Sequence, residues 1–355
     1  MRCVVVGAGI TGLAVARELQ ARGHEAVVLE RTGIGAGASG VQPGGVRQQW
    51  GTAVACRLAA ESVAFWREAA ERLGSRVPLD LRRGGYLFVA QSRPTLERLA
   101  ANVGVQNAEG IPSRMVAAHE AAELVPGLRA DTIVGGAWCG EDGYFDRPQA
   151  VVEAFANGLD VRCVDVSDLD RERERADAVV VAAGTETRAL LAPLGIDVPL
   201  AAEDRYLFYS DPIADRLLEP LVVAPELAFA AKQLADGRVL ASDLSARGDA
   251  DAGQKHWRAT IRNGIKQLVP RLEHVSFSLL VRGVYDVSPD HQPILGPVAP
   301  GLHVACGFSG HGFMIAPAVA RIVTDAVEGT CDPVLNVLGL DRFAAGELVP
   351  EPQLV

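Results

Sequence analysis

No apolar run in the chain reaches the roughly 18 residues of a membrane-crossing helix, so no membrane partner is expected. Met1 and Arg2 lead straight into a strand-like run, without the apolar region and small-residue cleavage site of a secretory leader. A cytoplasmic location is therefore expected. Paired cysteines are missing too. The six present (Cys3, Cys56, Cys139, Cys163, Cys306 and Cys331) lie far apart with no CxxC pair, which speaks against a zinc site or a dense disulfide framework. Most are expected to be buried small hydrophobes. Excess positive charge is absent as well: a formal net charge of −10 and a pI near 5.3 leave no broad basic face for nucleic acid or anionic lipid. A small anionic substrate would then need a local cationic pocket. No internal repeat or low-complexity linker is visible, and RERER at 171–175 mixes signs as a solvated surface turn does.

What is present is apolar bulk. With 49% hydrophobic residues over 355 positions, the chain can bury a large core and is expected to divide into two domains. Three blocks carry a short apolar strand into a glycine-containing turn: residues 2–30, DAVVVAAG at 177–184 and LHVACGFSGHGF at 302–313. They are expected in one sheet. Between them, segments 81–144 and 200–284 hold strand-like stretches such as GGYLFVA (84–90) and RYLFY (205–209). The fold class expected is α/β, α+β overall. A Rossmann-like domain from 1–80, 145–199 and 285–345 carries a second, mainly antiparallel-sheet domain from 81–144 and 200–284. VVEAFANGL (151–159) reads as a helix feeding a strand, VRCVDV, at 161–166.

The most informative stretch is VVVGAGITGLAVAREL. A strand meets Gly7, Gly9 and Gly12, and a helix follows whose apolar Leu13, Ala16 and Leu19 recur at helical spacing. Gly7 permits the tight turn, Gly9 lets backbone approach a pyrophosphate, and Gly12 allows close helix packing. The helix N-terminus then offers free N–H groups and the positive end of its dipole to a phosphate. The next strand, EAVVLE, ends at Glu30, about 20 residues past the glycines, where a carboxylate suits the ribose hydroxyls of an adenosine. This fingerprint alone does not separate FAD from NAD, since both present an ADP half. Three features favour FAD: the extension TGIGAGASG (32–40), the late strand DAVVVAAG, and the second glycine-rich turn into a helix, CGFSGHGFMIAPAVARIVTDAV (306–327). That last helix start would stabilise negative charge on a reduced flavin.

The combination resembles the FAD-dependent amine and amino-acid oxidoreductases that include sarcosine oxidase, glycine oxidase and dimethylglycine dehydrogenase. The likeness spans nearly the whole chain. It rests on GAGITG (7–12), ERTGIGAGASG (30–40), GGVRQQW (44–50), EDGYFDRP (141–148), AAGTET (182–187), GVYDVSPDHQPILG (283–296) and GFSGHGF (307–313). It implies oxidation at the C–N bond of a small amino acid or secondary amine, with hydride passing to flavin N5 and the imine then hydrolysing. The candidate cofactor contacts are Gly7, Gly9, Ile10, Thr11, Gly12, Glu30, Arg31, Ala38, Ser39, Gly44, Gly45, Val46, Val166, Ala183, Gly184, Gly283, Gly307, Gly310, His311, Gly312, Phe313 and Met314.

Three residues are candidates for the chemistry. Arg47 matches an arginine that binds the substrate carboxylate in sarcosine oxidases, a task that suits its bidentate fork. Tyr285 matches an active-site tyrosine of those enzymes, where glycine oxidases have arginine. His311 matches a histidine close to the flavin, where it would tune charge or help keep the amine neutral. Each also has a plain structural reading: a surface or phosphate-facing arginine, a core tyrosine, a histidine bonded to its own turn. His291 is read as structural. Departures matter as well. The cysteine that carries covalent FAD in monomeric sarcosine oxidases is Gly283 here, so noncovalent FAD is expected; a carboxylate-binding lysine is replaced by Met314. The lysine that activates O2 in those enzymes has no counterpart in GRVLASDL (237–244); nearby Lys232 is a candidate substitute but is read as solvated. A dehydrogenase using another acceptor or a partner subunit, and a non-catalytic flavoprotein assembly factor, are the alternatives.

Overall fold

The computed structural model describes residues 1–352. Its first layer is a six-stranded sheet in the order Ile294–Ala299, Leu302–Cys306, Ala178–Val181, Arg2–Val6, Glu25–Glu30 and Asp160–Cys163. Four of its pairings are parallel and only the outermost, Ile294–Ala299 against Leu302–Cys306, is antiparallel. The central strands are valine-rich and covered on both faces, as parallel sheets require. The three sequence blocks do share this sheet. The helix Ile10–Ala21 follows the first strand, and its side chains Leu13, Val15, Ala16 and Leu19 have no exposed surface. It packs against the long helix Gly312–Val327, so the two glycine-rich turns end side by side.

The second layer is an eight-stranded sheet in the order Phe277–Val287, Ala201–Pro212, Arg238–Asp243, Phe229–Gln233, Leu221–Ala224, Tyr86–Ala90, Gly135–Cys139 and Arg114–Val116. All its pairings are antiparallel except Leu221–Ala224 with Tyr86–Ala90. The helix Ala250–Leu268 covers one face through buried Trp257, Ile261, Ile265 and Leu268, with Trp257 stacked 4.2 Å from Tyr206. A third, small sheet was not anticipated. It joins Gly45–Val46, Gly143–Phe145 and Leu81–Arg82, strands too short to show any periodicity.

Local boundaries differ from the sequence reading at two places. The helix expected at 151–159 is Pro148–Ala156, with proline in its first turn, and the strand expected at 161–166 closes early at Cys163. The run at 171–175 starts in a short helix, Leu169–Arg173, and turns only at Glu174 and Arg175, because the Asp168 carboxylate accepts the Arg171 N–H and Leu169 is buried. The cysteines follow expectation: Cys3, Cys56, Cys139 and Cys306 are buried, Cys163 and Cys331 exposed, all as free thiols. Among the described residues no helix is long and apolar enough to cross a membrane.

Candidate active site

The strand-to-helix turn at Gly7–Gly12 opens on a cavity of about 430 Å³. Gly12 does not reach its wall. A Cβ there would lie 2.0 Å from the Gly7 carbonyl oxygen, so this glycine brings the helix against the turn. Gly9 is the reverse case, since its Cβ would meet only the Ser39 hydroxyl at 3.3 Å and otherwise faces the cavity. Ser39 in turn accepts the Ile10 N–H at 2.9 Å, fixing the helix start against the 32–40 extension. Gly7, Ile10, Thr11, Arg31, Ala38, Val166, Ala183 and Gly184 also line this space.

Glu30 closes one end. Its carboxylate accepts the Ala8 N–H at 2.9 Å and both the N–H and hydroxyl of Thr32 at 2.8 Å. Burial pushes the carboxyl up, but these bonds outweigh it and hold it below the ordinary value. At the other end stand Tyr285, Gly310, Gly312 and Phe313, so the starts of both packed helices face one cavity. Gln42 lies there too, with a buried Nε2 that has no hydrogen-bond partner among the described residues. The bare backbone at Gly9, the two helix starts and the acid at the end of the second strand, all on one cavity, suit a flavin dinucleotide.

A second cavity, about 120 Å³, adjoins the first, and Ala38, Gln42, Tyr285 and Gly310 belong to the walls of both. Here the structure gathers Gly45, Arg47, Gly283, Tyr285, His311 and Met314. Arg47 is 1% exposed and its guanidinium stacks 3.8 Å from the centre of the Trp50 ring. Burial pulls its pKa down. The other face of the arrangement is His311, which meets Trp50 edge-on at 4.2 Å. Burial, then the Arg47 charge, hold its imidazole well below its ordinary value, so it is neutral.

Two buried aspartates position these groups. Asp142 accepts the Gln48 N–H at 2.8 Å and the Gln49 amide at 3.0 Å, anchoring the loop that carries Arg47 and Trp50; burial pushes its carboxyl up to about 6. Asp286 accepts the Gly307 N–H at 2.7 Å through its side chain and the Ser309 N–H at 2.9 Å through its carbonyl. Its carboxyl is likewise pushed up to about 6 by burial. That pair of bonds locks GVYDVSPDHQPILG to GFSGHGF, and Val287 bridges Phe308 across the same join. Gly310 is thereby set against the Tyr285 ring.

Four expected cofactor contacts lie outside both walls: Gly12, Gly44, Val46 and Gly307. Gly44 and Val46 shape the small sheet and its approach, and Gly307 turns the chain with φ +71°. Lys232 corrects the sequence reading more sharply. It is fully buried rather than solvated, because the Pro43 carbonyl and the Tyr144 ring close over its amine at the wall of the smaller cavity. Asp142, Asp286 and Gln42 were not singled out. The aspartates do sit in noted motifs, EDGYFDRP and GVYDVSPDHQPILG, whereas nothing local marks Gln42.

A parallel sheet entered by a glycine-rich turn, with a ligand cavity at the strand ends and a second cavity beside it, defines a dinucleotide-binding protein. The chain belongs to the FAD dependent oxidoreductase family, whose model matches residues 2–326. Among curated relatives, a 4-methylaminobutanoate oxidase (formaldehyde-forming) of Paenarthrobacter nicotinovorans is 25% identical, covering 97% of this chain and 46% of that protein. The chain thus spans about half the length of that relative. A glycine oxidase of Geobacillus kaustophilus is 25% identical over 91% of this chain and 92% of its own. Among solved structures, an L-proline dehydrogenase from P. horikoshii superposes with a TM-score of 0.89 at 24% identity, covering 98% of this chain and 99% of that one.

Proposed function

We propose that the protein oxidises the C–N bond of a small amino acid or secondary amine, with the substrate in the smaller cavity. The observation that carries this reading is that Tyr285 and Gly310 belong to the walls of both cavities, which sets a substrate in the smaller one directly beside a cofactor in the larger. FAD, held by the Gly9–Thr11 backbone, Glu30 and the start of the helix Gly312–Val327, supplies the hydride acceptor when bound. It is held noncovalently, since position 283 is glycine. The six-stranded layer serves as the cofactor domain and the eight-stranded layer as the substrate domain.

The residues around the smaller cavity divide the remaining work. Arg47 offers a guanidinium to the substrate carboxylate, and its stacking on Trp50 leaves the plane fixed for that contact. Tyr285 presents a phenol that burial keeps protonated and so able to donate a hydrogen bond. Neutral His311 packs against Trp50 and adds no charge next to the amine. The names of the relatives, an N-methyl amine oxidase, a glycine oxidase and a proline dehydrogenase, agree with an amine or amino-acid substrate. The test is product analysis: holoenzyme incubated with sarcosine, proline, glycine or a D-amino acid should release the carbonyl product of one of them. Absence of a carbonyl product from every one, with an artificial acceptor supplied, would contradict the reading.

A further inference from the structure

The chain has only three lysines, Lys232, Lys255 and Lys266, and only Lys232 is buried. It sits on the strand Phe229–Gln233 between Leu221 and Leu240 of the flanking strands, with its ammonium at the wall of the smaller cavity. Its contacts carry no negative charge. Nζ donates to the Pro43 carbonyl at 2.5 Å and lies 4.1 Å from the centre of the Tyr144 ring. The acid that acts on it, Asp146, is already paired with Arg82 at 2.7 Å. Burial therefore dominates and pulls the amine down to about 7.

The cavity wall holds no aspartate or glutamate. Arg47 and Arg205 are permanent cations, with Arg205 paired to Glu203 at 2.8 Å and stacked over Tyr285. Burial keeps Tyr86 and Tyr285 protonated, and His311 is too weak a base to retain a proton. A small amine, by contrast, enters from neutral water as an ammonium, and a nitrogen with four bonds has no lone pair with which to form C=N. A proton has to leave it first. This inference rests on the proposed function, and the geometry points to its acceptor: Lys232 takes the ammonium proton of the incoming substrate within the smaller cavity. The substrate N–H bond breaks, its electron pair stays on the substrate nitrogen, and the proton joins the lone pair of Nζ. The positive charge is moved rather than created, and the Pro43 carbonyl and Tyr144 ring face are in place to hold it.

The test combines a titration with pre-steady-state rates. In holoenzyme grown on lysine labelled at Cε with carbon-13, three lysine signals are expected, and the one missing from Lys232→Met should titrate near neutrality. In anaerobic mixing with whichever of sarcosine, proline, glycine or a D-amino acid reduces the flavin, the wild-type rate should rise with pH to a plateau set by that titration. Lys232→Met and Lys232→Arg should both be slower at pH 7 by about 10²- to 10⁴-fold and should keep rising toward the amine's own pKa. Three lysine signals that all stay protonated through neutrality and titrate only in the ordinary lysine range overturn the inference even if no variant folds. So does flavin reduction in the variants at the wild-type rate and pH profile, including the case where only reoxidation by O2 is slowed. A wild-type flavin that no compound reduces instead contradicts the proposed function, and the inference falls with it.

Discussion

A Cβ added to Gly310 would stand 2.2 Å from Cε2 of Tyr285, and the φ of Gly310 is +92°. The glycine and the ring therefore fix each other at the point where the two cavities join. Gly310→Ala is expected to cost about 1–3 kcal/mol through its backbone alone. It should also displace the Tyr285 ring, which lines both cavities. Calorimetry should show a lowered Tm and titration a weaker FAD affinity together; a variant unchanged in both would mean that the turn relaxes freely.

The fingerprint glycines separate by what a side chain would strike. Gly9→Val adds its bulk to the cavity, so the apoprotein should keep nearly wild-type thermal stability while purifying without flavin colour. Gly12→Val drives into the Gly7 carbonyl and should destabilise the apoprotein itself. Overpacking of this kind typically costs about 1–3 kcal/mol or more. A yellow Gly9→Val protein would remove the pyrophosphate from this turn.

Glu30 gives a pH signature with a definite sign. Its folded-state pKa lies below the ordinary value, so its contribution to stability is present above that ordinary value and is lost as pH falls through the folded one. Glu30→Gln should be less stable than wild type at neutral pH, and the gap should close as the solution is acidified below about pH 4. Urea unfolding of the apoproteins across pH 3–7 measures this. A gap that stays constant to pH 3 would show that the carboxylate charge is not what the Ala8 and Thr32 groups hold.

Arg47 and Asp142 should resemble each other kinetically. Arg47→Met removes the carboxylate partner, and Asp142→Ala frees the loop that aims it. Both should raise KM by about tenfold or more with a smaller change in FAD affinity, since a charged hydrogen bond is worth about 1.5–3 kcal/mol. Asp142→Asn, which keeps an acceptor for the Gln48 N–H, should recover part of the loss. If FAD affinity fell in step with KM, Arg47 would belong to the cofactor site.

Much of the fold was legible because its signals are local. The valine-rich first strand, the glycine turn, the helix and Glu30 lie within thirty residues and dictate one another's geometry. GVYDVSPDHQPILG and GFSGHGF stood out as sequence, and the bonds of Asp286 to Gly307 and Ser309 explain why they act as one unit. The part that was missed is non-local. Lys232 is buried only because Tyr144 and Pro43, distant in sequence, close over it, and the same pattern on an edge strand would have been solvated. The small sheet holding Gly45–Val46 has strands of two or three residues, below the length at which alternation can be read. Gly12, Gly44, Val46 and Gly307, expected at the cofactor by motif, are not among the residues that line either cavity.

The mode of cofactor attachment has a simple check. Because glycine occupies position 283, acid precipitation of the holoenzyme should leave all of the flavin in the supernatant. Flavin that stays with the precipitate would require another point of covalent attachment.

The central claim is C–N oxidation at the junction of the two cavities, and the most direct measurement is the absorbance spectrum of anaerobic holoenzyme before and after adding sarcosine, proline, glycine and D-amino acids in turn. Bleaching of the flavin band by at least one of them is the result expected, with the band returning on addition of an acceptor. A flavin spectrum unmoved by every compound would contradict the claim and favour a protein that binds FAD without oxidising a small amine.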